Sequence, residues 1–100
     1  MKISNEDKKQ LRRLGHKINP VVTVATKGLS ENVLAEIDRA LTDHELIKIK
    51  LSNSDRQSRA HVIEIIREKC GAEVVQSVGH ILLLLKKSND PNPKLSNLIR

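Results

Sequence analysis

Two hydrophobic periods alternate along this chain, one of three to four positions and one of two. Leu11, Leu14 and Ile18 recur at helical spacing behind Ser4-Asn5-Glu6-Asp7, where a capping hydroxyl precedes acidic residues suited to a first turn. This predicts a helix to about Leu14, ended at Gly15 by a left-handed turn. Pro20 holds Asn19 extended, and Val21 to Val24 reads as a short β-branched strand. After the tight connection Ala25-Thr26-Lys27-Gly28, Ser30 caps a second helix with Glu31 at its first position. Its inward stripe is Val33, Leu34, Ile37, Ala40 and Leu41; Glu36, Asp38, Arg39 and Asp43 lie outward. Leu46 to Leu51 then alternates, with Ile47, Ile49 and Leu51 to one side and Lys48 and Lys50 to the other. Asn53-Ser54-Asp55 opens a third helix, whose Val62, Ile63, Ile66 and Cys70 face the sheet and whose stop is Gly71. Glu73 to Val78 and Ile81 to Lys86 are strands joined by Gly79-His80, a loop suited to a type II′ turn.

The predicted order is α-β-α-β-α-β-β. Strand–helix–strand units favour parallel crossovers and the closing hairpin is antiparallel, so the fold class is α/β (α+β-like), a mixed four-stranded sheet packed with helices. Residues 1–87 form one domain. Residues 88–100, with Pro91, Pro93 and several Ser and Asn, read as a flexible C-terminal tail.

Composition narrows the class. The chain has no Phe, Tyr or Trp, so its core is aliphatic. The longest apolar run, Ile81 to Leu85, is too short to cross a membrane, and no apolar stretch follows Lys2 as a secretory signal would need. A single cysteine cannot form an internal disulfide, which points to the reducing cytoplasm. The net charge of +6 favours an anionic partner, and its distribution is uneven. Residues 1–28 carry seven Lys/Arg against two Asp/Glu, residues 29–45 one against five, and residues 46–100 ten against five.

Catalysis has little support. His16, His44, His61 and His80 are scattered and share no ligand spacing with Cys70 or one another, so neither a metal nor another cofactor is expected. Cys70 lies on an apolar helix face, where a buried, inert thiol is the reading. Nucleophile elbows, Walker loops and dinucleotide glycine patterns are missing. The strand-to-helix loop is more informative. Unpaired N–H groups at a helix start attract phosphate, and Lys27 adds a mobile charge beside them. Lys48 and Lys50 give their strand a basic face, Lys8 and Arg12 form one basic row on the first helix, and Arg56 sits against the dipole of the third.

The run Pro20-Val-Val-Thr-Val-Ala-Thr-Lys-Gly-Leu-Ser-Glu-Asn-Val-Leu-Ala-Glu-Ile, then His44-Glu-Leu-Ile-Lys-Ile-Lys, Asp55-Arg, Gly71-Ala and Val78-Gly79, resembles the CRM domain, and more narrowly its stand-alone bacterial YhbY-type members. The similarity extends over roughly residues 1–87. It implies a fold similar to the C-terminal domain of translation initiation factor three, RNA binding, and association with precursors of the large ribosomal subunit. It also implies a GxxG loop that clamps a nucleic-acid backbone, here Ala25, Thr26, Lys27 and Gly28. Alanine replaces the first glycine and limits how closely a phosphate approaches, so the weight falls on Lys27 and Gly28.

The expectation is a monomeric, non-enzymatic RNA-binding domain acting on structured ribosomal RNA or pre-large-subunit particles, without a membrane or small-molecule substrate. Its candidate contacts are Ala25, Thr26, Lys27, Gly28, Lys8, Arg12, Lys48, Lys50 and Arg56. Two rivals are a module docking on a ribosomal protein through the acidic second helix and a duplex DNA binder. The strand Val21 to Val24 argues against a helix-turn-helix.

Overall fold

A computed structural model describes residues 3–25, 29–52, 55–87, 90–91 and 93–98. Three helices, α1 (Asn5–Gly15), α2 (Glu31–His44) and α3 (Arg56–Cys70), alternate with strands β1 (Pro20–Val24), β2 (Leu46–Leu51), β3 (Glu73–Val78) and β4 (Ile81–Leu85) in the expected order. The sheet order is β1-β2-β4-β3: β1 runs parallel to β2, and β4 is antiparallel to both β2 and β3. The last strand therefore inserts into the centre. Its sequence explains the choice, because Leu82 to Leu85 are buried whichever way they point. A strand apolar on both faces is stable only between two covering layers.

Those layers are unequal. On one face α2 and α3 enclose Val22, Val24, Ile47, Ile49, Leu51, Leu82 and Leu84 with Ile37, Leu41, Val62 and Ile66. On the other, α1 brings Leu11, with Ile3, Leu14 and Ile18 alongside, onto Leu46, Val75, Leu83 and Leu85. Leu46 pairs with Leu85 at the start of β2, so α1 sits toward that end of the sheet. The extra residue at the irregularity between Val74 and Gln76 turns Val75 into this second cluster.

Capping follows the sequence closely. The Ser4 hydroxyl accepts from the Asp7 N–H and the Ser30 hydroxyl from the Val33 N–H, both at 3.1 Å. Gly71 ends α3 in the left-handed region at φ +64°. Gly79 has φ +56° and His80 does not have a positive φ, as a II′ turn requires.

Gly15 departs from expectation. It does not end α1 in a left-handed turn: the helix runs through it, and the cap residue His16 is right-handed (φ −63°, ψ −23°). A side chain at position 15 would place its Cβ 2.8 Å from a methyl of Leu83. The glycine lets α1 approach the sheet.

A second departure lies at the α2–β2 corner. Glu45 is fully buried with φ +63°, a conformation costly for a residue with a side chain. Hydrogen bonds hold it: its N–H donates to the Leu41 carbonyl (2.9 Å), its carbonyl accepts from the Lys86 N–H (2.8 Å), and Oε1 accepts from the Ser96 hydroxyl (2.8 Å). Asn97 donates its backbone N–H to the His44 carbonyl (2.8 Å) and its side-chain amide to the Leu46 carbonyl (2.7 Å), while Leu98 packs against the α1-side cluster. Part of the segment expected to be loosely held is thus tied to the domain by side chains that look, in sequence, like ordinary linker residues.

The packing at position 15 yields a direct expectation. Gly15→Val overpacks the contact with buried Leu83 and lowers the free energy of unfolding by about 1–3 kcal/mol. Urea denaturation of the two proteins measures the difference.

Candidate nucleic-acid interface

Because β1 and β2 are parallel, their C-terminal ends meet at one edge of the sheet. Antiparallel β4 begins at that same edge, so the β3–β4 turn joins them. The ends of parallel strands in open α/β sheets are where ligands settle, since helix starts and loops converge there. Hydrogen bonds sew this edge together. The Ser52 N–H donates to the Val24 carbonyl (2.9 Å), and the Leu51 N–H donates to the His80 carbonyl (2.7 Å). The His80 ring Nδ1 in turn lies 2.7 Å from the Leu51 carbonyl oxygen.

Two helices start from this edge. The α2 start is capped by Ser30, with Ala25 exposed at the end of β1. Thr26, Lys27 and Gly28 lie outside the described residues. The α3 start is capped by Asp55, whose carboxylate accepts from the N–H groups of Gln57 (3.4 Å) and Ser58 (3.2 Å) and from the Ser58 hydroxyl (3.1 Å). These bonds, the Ser58 hydroxyl first, hold its carboxyl pKa below the ordinary aspartate value, and the nearby Arg59 charge adds to the effect. The carboxylate thereby offsets the repulsion between the helix dipole and Arg56 and Arg59 in the first turn.

Strand register defines the open part of the α1 face. Thr23 pairs with Lys50, Lys50 with Ile81, and Ile81 with Val78, giving one row across all four strands beside the loop edge. α1 leaves this row open: Thr23 and Lys50 are exposed, and Val78 is 60% exposed despite being apolar. Lys48, paired with Leu83 one row inward, is half-buried. Lys8 and Arg12 are half-buried on α1, in the layer over the same face, while Arg56 belongs to the opposite layer at the loop edge. The structure therefore brings Lys48 and Lys50 to one face, places Arg56 at the adjoining edge, and sets Lys8 and Arg12 on the helix that covers the far end.

The other chemistry-bearing residues stay dispersed. Cys70 is buried, and its desolvation, with Asp38 nearby, pushes the thiol pKa up. Lys86 reaches Asp38 of α2 at 3.5 Å, and the His44 ring bonds the Leu95 carbonyl at 2.7 Å. Among the described residues no group of three His, Cys, Asp or Glu is placed to hold a metal, and no helix is long and apolar enough to cross a membrane. His80 and Thr23 join the candidate surface although the sequence had not marked them; only the strand order reveals their position.

A small α+β domain with a basic, loop-bearing sheet edge is the class these features define. Residues 3–86 match the CRS1 / YhbY (CRM) domain, and the chain belongs to that family. It is 43% identical over 100 residues to a probable RNA-binding protein of Pseudomonas aeruginosa, covering all of this chain and 96% of that one. Identity to an RNA-binding protein of Haemophilus influenzae is 42% over 93 residues, 93% of this chain and 94% of the relative. The fold is similar to the solution structure of a hypothetical protein from Staphylococcus aureus, with a TM-score of 0.78 at 26% identity over 94% of this chain and 97% of that one.

The Asp55 cap has a pH signature. Its folded-state pKa is depressed, so its contribution is complete above the unfolded value near 3.8 and is lost as pH falls through the lower folded value. Asp55→Ala should therefore destabilise the domain at neutral pH, and the gap to wild type should narrow below about pH 3.8, read from urea midpoints across an acid series.

Proposed function

We propose that this domain binds structured ribosomal RNA within precursors of the large subunit, acting as a cytoplasmic monomer in ribosome assembly. The observation that carries this reading is the convergence of the β1 and β2 ends and the α2 and α3 starts at one stitched edge flanked by Lys50 and Arg56. The family and the RNA-binding relatives support RNA as the ligand class. In this reading the loop Ala25-Thr26-Lys27-Gly28 follows an RNA backbone as a GxxG-like clamp, its phosphates facing the start of α2. Lys48, Lys50 and Arg56 extend the contact along the sheet face and the α3 start, and Lys8 and Arg12 add charge from the α1 layer. With no aromatic side chain, the domain lacks a platform for stacking splayed bases, so recognition rests on backbone and shape.

Such a site is an electrostatic one. With ~5 phosphates engaged, the logarithm of affinity for a ribosomal RNA fragment falls against the logarithm of salt with a slope of roughly −3.5 to −4.5. Lys50→Glu and Lys27→Glu should each weaken binding and make the slope shallower by about 1. Fluorescence anisotropy titrations over a salt series measure both, and an affinity indifferent to salt would overturn the proposal.

A further inference from the structure

We infer that His80 lets this domain distinguish RNA from DNA, its ring Nε2 accepting a hydrogen bond from a ribose 2′-hydroxyl. The inference rests on the RNA-binding reading above. His80 is the second residue of the β3–β4 turn and stands, exposed, at the edge where β1 and β2 end. Two bonds to Leu51 fix it. Its carbonyl accepts from the Leu51 N–H, and its Nδ1 lies 2.7 Å from the Leu51 oxygen. A carbonyl oxygen can only accept, so Nδ1 carries the hydrogen. In a neutral imidazole the other nitrogen then has none, and Nε2 is a bare acceptor.

That polarity selects the ligand group. Phosphate oxygens also only accept and cannot bond a bare Nε2. An RNA held by its backbone offers one donor that DNA lacks, the 2′-hydroxyl. The cations at this edge, Lys50 and Arg56, suit the phosphates, leaving His80 to read the sugar between them. Leu51 is buried in a central strand, so the ring is held by an anchored residue and stands preorganised.

The simpler role, a ring that only ties the turn to β2, predicts different behaviour from two variants. In His80→Asn the amide nitrogen takes the place of Nδ1 and can still donate to Leu51, while nothing reaches as far as Nε2. His80→Ala removes both groups. The full chain is titrated with an RNA hairpin and its DNA counterpart at about pH 8. We expect His80→Asn to weaken RNA binding about 5–10-fold and to leave DNA affinity and the thermal midpoint unchanged. A scan of single 2′-deoxy substitutions should find one position that costs wild type a similar factor and costs His80→Asn nothing further. Equal losses for RNA and DNA, or no loss in His80→Asn, would overturn the inference while RNA binding itself stands. Failure of the wild-type chain to bind RNA would overturn both readings together.

Discussion

The parallel pairing of β1 with β2 is the constraint on which the rest of this molecule depends. Val22 against Ile49 and Val24 against Leu51 fix the two strands in register, and their C-terminal ends fall at one edge. An antiparallel arrangement would have sent the starts of α2 and α3 to opposite ends of the sheet. The pairing is secured beyond the strands by the Ser52–Val24 bond and through Leu51 to the β3–β4 turn, so the two strand ends and that turn share one backbone network. Positively polarised helix starts and exposed cations then collect at that edge as a consequence of topology.

The unequal covering of the sheet supplies the second half of the design. A layer of two helices closes one face, but α1 is a single short helix and spans only part of the other. Its approach depends on Gly15 lying against Leu83. What remains open is the row from Thr23 through Lys50 and Ile81 to Val78, beside the loops. Lysine suits such a row because its stem can lie on apolar neighbours while its head stays in water. Charge follows the same division: the acidic residues of the second segment lie outward on α2, across the sheet from Lys48 and Lys50. A polyanion is therefore drawn to the lysine-bearing row and repelled by the outward surface of α2.

Much of this was legible in the residues. Ser4, Ser30, Asp55 and Gly71 mark helix ends by local chemistry, and the alternation in Leu46 to Leu51 reveals both a strand and its basic face. What escaped was non-local. Glycine after the last apolar helix position reads as a left-handed stop, yet Gly15 is glycine because of Leu83, a strand residue far along the chain. Ser96 and Asn97 have linker character, and their partners Glu45 and Leu46 lie 51 residues away. His80 reads in sequence as a turn residue among scattered histidines, and only the central position of β4 sets it against the end of β2. The loop Ala25-Thr26-Lys27-Gly28 is the converse case: its interest is plain in sequence, and Thr26, Lys27 and Gly28 lie outside the described residues.

The missing aromatics connect these points. An RNA-binding surface with tyrosine or phenylalanine can hold single bases by stacking and gain affinity from each. This chain has none, so in the proposed function its affinity comes from phosphates, whose attraction is long-ranged but blind to the kind of nucleic acid. Under that proposal, discrimination falls to a short-ranged polar group of fixed direction, and such a group needs a rigid support. The edge between β1, β2 and the β3–β4 turn provides that support, because its backbone groups are tied to one another and its strands are rooted in an aliphatic core. Lysines with long, mobile stems can adapt to a backbone around such a point, but they cannot themselves read it. In the proposed function, mobile and fixed elements thus take separate tasks by their chemistry, the first supplying attraction and the second choice.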